Sequence, residues 1–421
     1  MIRLYFLFVT ILLATSAIAQ WFPQNSGTQN SLNSVYFTDY NTGYSVGDSG
    51  TILKTTNGGE LWFPVNSGTT RNLRSINFIT PDTGYAVGQN VILKTEDAGV
   101  TWIDQTPSGL SEWVSLKCVH FPVVDTGYIF GDTIYDQGWS GLGLIYKTVN
   151  GGSTWDIDTI IQGAPGFPFT SLNSVYFLDA NVGFACGGIG GAEWSGLILK
   201  TVNGGLDWSS DGKGSVMNSI YFPNDSVGFC VGNDNANYAA VYKTTNTGST
   251  WSDGYYFSIN TSQVFFTNMD TGYIVGYDTW NKGYIMKTID GGTSWLDPII
   301  VCQNGLNSTF FTDGLTGYVV GRGGVVFKTM NGGTTTVNKL LYSNSELEIY
   351  PNPALSEIKL KISAPSSFGH ITIMNSQGQT IQKYSASSKQ LQIDISSLRS
   401  GIYFVRFQNE YSMVVKKFLK K

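Results

Sequence analysis

Histidine is nearly absent from this 421-residue chain, which holds only His120 and His370. No Ser-His-Asp triad and no His-based zinc site can be assembled from so few. Arginine is almost as scarce: residues 20–336 contain Arg71, Arg74 and Arg322 alone. Two of these come from one short segment, so the arginine triad of a sialidase is not available. Charged residues make up 13% of the chain and its net charge is −5, which argues against the basic footprint that nucleic-acid binding needs. No P-loop and no dinucleotide fingerprint occurs. His120 stands where Tyr36 and Tyr176 stand in other repeats, so a place in the core or at the rim is expected for it. No catalytic residue, metal site or cofactor is expected.

Cysteine is limited to Cys118, Cys186, Cys230 and Cys302. An even count permits disulfides in an exported chain. Cys186 and Cys230 occupy equivalent strands of adjacent repeats but one position out of phase, so they are expected to point to opposite faces and stay free. Long apolar runs are also missing beyond the first residues. Residues 1–19 read as a signal peptide, with Arg3, an apolar run from Leu4 to Ala14, and Ala17-Ile18-Ala19 before Gln20. That run is short for a membrane span. The mature chain is therefore expected to have no transmembrane segment and to be secreted or attached to the outer-membrane surface, by way of the periplasm.

What the chain has in abundance is glycine, 50 residues, in a repeated frame. Lys54-Thr55-Thr56-Asn57-Gly58-Gly59-Glu60-Leu61-Trp62 recurs with its Lys and Trp eight residues apart, at Lys94/Trp102, Lys147/Trp155, Lys200/Trp208, Lys243/Trp251 and Lys287/Trp295. A seventh copy at Lys328 has Thr336 in place of the Trp. Such a period marks a propeller or a solenoid. Each repeat reads as four short strands, a to d, as in Asn33–Phe37, Gly43–Gly47, Thr51–Thr55 and Leu61–Val65. Asn or Asp closes the c–d turn and Gly takes positive φ there. The Lys residues alternate with apolar neighbours and read as solvated faces of strand c.

The missing Trp lies at the other end of the chain. Trp21-Phe22-Pro23-Gln24-Asn25-Ser26-Gly27-Thr28 closely matches Trp62-Phe63-Pro64-Val65-Asn66-Ser67-Gly68-Thr69. The expectation is an all-β chain: a seven-bladed β-propeller over residues 20–336, its seventh blade completed by residues 21–28, then a linker at 337–345 and a small antiparallel β-sandwich at 346–421.

The Asx-Gly turn followed by Thr-Trp resembles the Asp-box of neuraminidase repeats, where it is structural and lies away from the active face. The whole unit, Gly-Tyr-x-Val-Gly and then Leu-Lys-Thr-x-Asn-Gly-Gly-x-x-Trp, resembles the photosystem II assembly and stability factor family over residues 21–336. That resemblance implies a seven-bladed propeller. The family docks partners through an Arg-rich surface, and this chain departs from it with its three Arg. Tyr350-Pro351-Asn352-Pro353, Asn375–Gln379, Ile393–Leu398, Ser400–Tyr403 and the final Lys416–Lys421 resemble the type A C-terminal sorting domain of type IX secretion in the Bacteroidota. This implies that residues 346–421 engage the type IX machinery, with removal of the domain and release or attachment to surface lipopolysaccharide.

Length variation is confined to one face. The Phe-to-Gly spacing across the a–b turn is six in every repeat, and the c–d turn is equally constant. The Gly-to-Lys spacing across the b–c loop runs 11, 10, 20, 17, 15, 15 and 11. The b–c and d–a loops share one face, where recognition usually resides. The long loops carry Asp132, Tyr135, Asp136 and Trp139 in the third repeat, and Glu193 and Trp194 in the fourth. The fifth has Asp234, Asn237 and Tyr238; the sixth has Tyr277, Asp278, Trp280 and Asn281. Exposed aromatic and acidic groups of this kind suit a glycan or a protein ligand. The expected function is non-enzymatic binding through that face. The alternatives are a glycoside hydrolase resembling the xyloglucanase-like propellers, with Asp132 or Asp136 paired to Asp234 or Asp278, and a structural surface protein.

Overall fold

A computed structural model describes residues 21–108, 110–134, 140–161, 169–190, 195–234, 238–252, 254–333, 346–363, 369–375, 380–386, 388–408 and 413–421. The chain divides into two compact units, residues 1–333 and 334–421.

The first unit is built of seven four-stranded antiparallel sheets. The first consists of Leu32–Phe37, Gly43–Gly47, Ile52–Thr55 and Phe63–Val65, paired in chain order. The last is completed from the N-terminus: Phe22–Gln24 pairs with the strand Val326–Thr329, Phe22 opposite Lys328. Each strand a has one register break in its first half, as between Leu32 and Ser34 or between Leu172 and Ser174. At five of the seven bulges the residue passed over hydrogen-bonds to the neighbouring sheet.

Neighbouring sheets are joined by contacts that repeat around the unit. The aromatic residue of strand b stacks on the Phe ending strand a of the next sheet. Tyr44 lies over Phe78 and Phe229 over Phe266, at 4.2 and 4.1 Å. Tyr318 of the last sheet lies over Phe37 of the first, at 4.0 Å. The repeat Trp meets the same Phe edge-on, as Trp62 meets Phe37 at 5.9 Å, an arrangement that aromatic quadrupoles favour. Trp21 takes this place in the last sheet, against Phe311 at 6.0 Å. At the centre, Ser34, Ser75, Ser174, Ser219 and Ser308 accept a backbone N–H from the next sheet at 3.2–3.4 Å. Gln263 does so at 2.6 Å.

The c–d turns are held by side chains. Thr55 donates its hydroxyl to Asn57 Oδ1 and accepts the N–H of Gly59, both at 2.9 Å. Gly59, at φ +79°, lies under Tyr318, and a Cβ there would stand 2.7 Å from the ring. Positive φ and the close approach together require glycine.

Two expectations are corrected. The Lys residues of strand c are not simply solvated. Lys54 Nζ lies over the Tyr44 ring, 5.6 Å from its centroid, and donates to the Ala98 carbonyl of the next sheet at 2.6 Å. Lys147, Lys200, Lys243, Lys287 and Lys328 do the same, while Lys94 pairs with Glu96. These lysines clasp sheet to sheet. The second correction concerns Cys186 and Cys230, which share one buried core with Phe184, Phe222 and Tyr242. Adjacent sheets meet through opposite faces, so being one position out of phase brings the two side chains into the same interface. All four thiols are free.

The second unit has a three-stranded sheet of Glu346–Tyr350, Glu357–Ser363 and Gln390–Asp394. Its four-stranded sheet contains Gly369–Asn375, Thr380–Ala386, Gly401–Gln408 and Met413–Lys420. Ile358, Leu360, Ile371, Ile373, Val405, Phe407 and Phe418 from both sheets form one core. Among the described residues no helix is long and apolar enough to cross a membrane.

Candidate functional site

The bulge residues of the inner strands open on the face carrying the b–c and d–a loops, because each strand a begins there. Four are asparagines that donate to the next inner strand. Asn33 reaches the Leu73 carbonyl at 2.8 Å, Asn173 that of Met217 at 2.8 Å, Asn218 that of Thr261 at 2.8 Å, and Asn307 that of Leu32 at 2.9 Å. Arg74, Lys117 and Ser262 stand at the other three positions.

Lys117 explains Asp132. Its Nζ donates to Asp132 Oδ2 at 2.7 Å, Ser171 Oγ at 2.6 Å and Asn173 Oδ1 at 3.1 Å. Burial lowers its pKa, the Asp132 carboxylate opposes that, and the nearby Arg74 guanidinium lowers it further. Asp132 is 1% exposed. It was expected to face a ligand and is instead the buried counter-ion of a lysine. A buried charge of this kind needs such a partner. The partner was hard to see in sequence because it sits on another strand, 15 residues away.

The loop of the sixth sheet is well defined. Asp278 Oδ1 accepts the N–H groups of Trp280 and Lys282, each at 2.9 Å, and Oδ2 accepts the Tyr284 hydroxyl at 3.2 Å. The carboxylate is thus directed into its own turn. Asn281 takes φ +64°. Trp280 stands 80% exposed. The Arg322 guanidinium of the seventh sheet lies 4.3 Å from the Tyr277 ring centroid, and its Nη1 donates to Asn281 Oδ1 at 2.5 Å. Tyr277, Asp278 and Trp280 are therefore brought together, with Arg322 added.

Tyr238 is 46% exposed at the tip of the fifth sheet, its N–H donated to Asp234 Oδ1 at 2.8 Å. Tyr135, Trp139, Glu193 and Trp194, with Asp136 and Asn237, lie outside the described residues. Sequence reasoning missed Arg322, Arg74, Lys117 and Trp113, the last 47% exposed before the third inner strand. A signal for Arg322 existed: it follows the second Gly of strand b, as Asp48, Asp132 and Tyr277 do.

At the other end of the inner strands runs an aromatic collar. Tyr36, Phe310, Phe265, Tyr221 and Tyr176 follow one another at 5.1–5.6 Å. His120 joins by stacking on Tyr176 at 5.4 Å. Burial lowers its pKa to about 4, so the imidazole is neutral at pH 7. Among the described residues no cluster of three or more His, Cys, Asp or Glu could hold a metal ion.

Comparison with known proteins separates the two units. Residues 348–421 match the secretion system C-terminal sorting domain. This is the type IX tail, and it indicates export as a secreted or cell-surface protein. Residues 13–104 match the model of the photosynthesis system II assembly factor YCF48. No curated protein matches the chain. Among solved structures, YCF48 from Cyanidioschyzon merolae is 20% identical with a TM-score of 0.56, covering 74% of this chain and 98% of its own. PorZ, a surface component of the type IX secretion system of Porphyromonas gingivalis, is 11% identical with a TM-score of 0.52, over 93% of this chain and 59% of its own. The GH74 xyloglucanase from Xanthomonas campestris is 12% identical with a TM-score of 0.54, over 81% and 59%. These likenesses establish the fold of a β-propeller.

Proposed function

We propose that the protein is an exported binding propeller without enzymatic activity. Its seven sheets are the blades of a seven-bladed ring spanning residues 20–336, and residues 346–421 are a small β-sandwich that addresses it to the type IX machinery. The ligand, a glycan or a protein, docks on the face of variable loops. The observation that carries this reading is the sixth-sheet loop. It presents a Trp side chain to solvent while its only carboxylate, Asp278, is engaged inward. Flat, exposed rings on rigid turns are typical recognition anchors.

The hydrolase alternative draws on the likeness to GH74 enzymes. It needs two carboxylates flanking a sugar, one of them a general acid. Asp132 is neutralised by Lys117 and buried, and Asp278 is engaged in its own turn. Neither geometry favours that chemistry. The test is a glycan-array and surface-protein binding screen run beside a polysaccharide hydrolysis screen. Binding without product formation is expected, and released sugar would overturn the non-enzymatic reading. Removing residues 346–421 should leave a folded first unit retained in the periplasm. Its normal appearance outside the cell would refute the sorting role.

A further inference from the structure

Arg322 is an unusual cation in this chain. It is one of three arginines in residues 20–336 of a protein with net charge −5. It comes from the seventh sheet yet is fixed on the sixth, by stacking on Tyr277 and by the bond from Nη1 to Asn281 Oδ1. Both partners are neutral. Among the described residues the ion pairs are Lys94–Glu96, Lys117–Asp132, Lys213–Asp211 and Lys361–Glu348, so no carboxylate neutralises this guanidinium. It is half-buried and keeps further N–H donors in a fixed fork.

The residue adjoining Asn281 is Trp280, at 80% the most exposed large hydrophobic side chain among the described residues. The turn that carries it is closed on both sides by Asp278 Oδ1. Asn281 therefore links a stacking platform on one side to an immobilised guanidinium on the other. A sugar ring bearing a carboxylate has the chemistry for that pair: an apolar face suited to the indole and a carboxylate suited to the fork. Lys282 in the same turn offsets the charge of the Asp278 carboxylate, leaving the guanidinium as the net charge of the site.

We infer that Trp280 and Arg322 form a subsite for a uronate residue of an acidic polysaccharide. This rests on the reading of the variable face as a binding face and names its ligand class. The overall negative charge works in favour of specificity, since it repels polyanions everywhere except at such a local site.

The experiment is affinity electrophoresis of the purified protein at pH 7.5, in gels containing polygalacturonate, fully methyl-esterified pectin or poly-glutamate. Polygalacturonate is expected to retard the protein. The esterified polymer, with the same sugars but no carboxylate, should retard it about tenfold less. Poly-glutamate should not retard it. Arg322→Gln and Trp280→Ala should each lose most of the retardation at an unchanged melting temperature, and Arg322→Lys should recover part of it, having the charge without the fork. Absence of retardation by polygalacturonate, or full retardation of Arg322→Gln, overturns the subsite. Equal retardation by the esterified polymer overturns the carboxylate recognition while leaving the binding face standing. Equal, Arg322-dependent retardation by poly-glutamate overturns the uronate assignment in favour of an acidic peptide.

Discussion

Lys328 donates from Nζ to the carbonyl of Gly58 at 2.6 Å, across 270 positions of sequence. Tyr318 donates to the same oxygen at 2.7 Å. Lys54 and Tyr44 treat the Ala98 carbonyl identically, each at 2.6 Å, between the first and second sheets. The last sheet thus meets the first through the same pair of contacts that joins the first to the second, the third to the fourth and the sixth to the seventh. Closure is one more copy of the repeat interface, provided the N-terminal strand fills its place.

That condition gives a prediction. Trp21 is buried against Phe311 and Gly333. Trp21→Ala should destabilise the first unit by about 3–5 kcal/mol, as for any large core aromatic. Lys328→Met should cost about 1 kcal/mol, because Tyr318 continues to satisfy the Gly58 carbonyl. Urea unfolding followed by tryptophan fluorescence measures both. Equal stability of the Trp21 variant and the wild type would mean that the N-terminal strand is dispensable.

The tryptophans should separate into two classes. Trp155 is packed edge-on against Phe121 at 5.7 Å and Tyr85 at 5.8 Å. Trp280 is solvent-exposed. Trp155→Ala should cost about 3–5 kcal/mol, while Trp280→Ala should stay within about 0.5 kcal/mol of wild type. Thermal melting of the two variants is the check. A large loss for Trp280→Ala would mean that its ring covers the loop rather than a ligand.

Much of the fold was legible because it is written as spacing. The constant Phe–Gly and Lys–Trp intervals locate the four strands of each repeat, and Trp21 beside Thr336 in the repeat frame locates the partner of Val326–Thr329. Contacts between sheets were not legible, since a period says nothing about which neighbour a side chain meets. The lysines clasping the next sheet and the shared core of Cys186 and Cys230 follow only once the sheets are placed. The same limit hid the site. Asp132 looked like a loop carboxylate until Lys117 was found beneath it. Arg322 looked like a scarce cation until Tyr277 and Asn281 of another sheet were found to hold it.

The turns themselves make the last prediction. Five of the seven use Asn, and two use Asp97 and Asp290. Asp97 Oδ2 accepts the Thr101 hydroxyl at 2.6 Å, and Oδ1 accepts the Thr101 and Val100 N–H groups at 2.9 and 3.0 Å. Asp290 is bonded by Ser294 in the same manner, at 2.6 Å to the hydroxyl and 2.9 Å to the N–H. The hydroxyl bonds, foremost, with the backbone bonds hold both pKa values at about 2, against an ordinary 3.8. A carboxyl depressed on folding contributes stability that is complete above the unfolded value. As pH falls, the unfolded chain takes up the proton first, so the contribution is lost between 3.8 and about 2. Asparagine makes the neutral version of the turn elsewhere: Asn150 Nδ2 donates to Thr154 Oγ1 at 2.9 Å, and Asn246 to Thr250 at 2.9 Å. The pair Asp97→Asn and Asp290→Asn should therefore fold normally at pH 7 and lose less stability than wild type as the pH falls through that window. Every other carboxylate is common to both proteins and cancels in the difference. Urea midpoints measured from pH 5 to pH 2 give the comparison directly. Parallel curves for the two proteins would show that these carboxylates are no better bonded in the folded turn than in the unfolded chain.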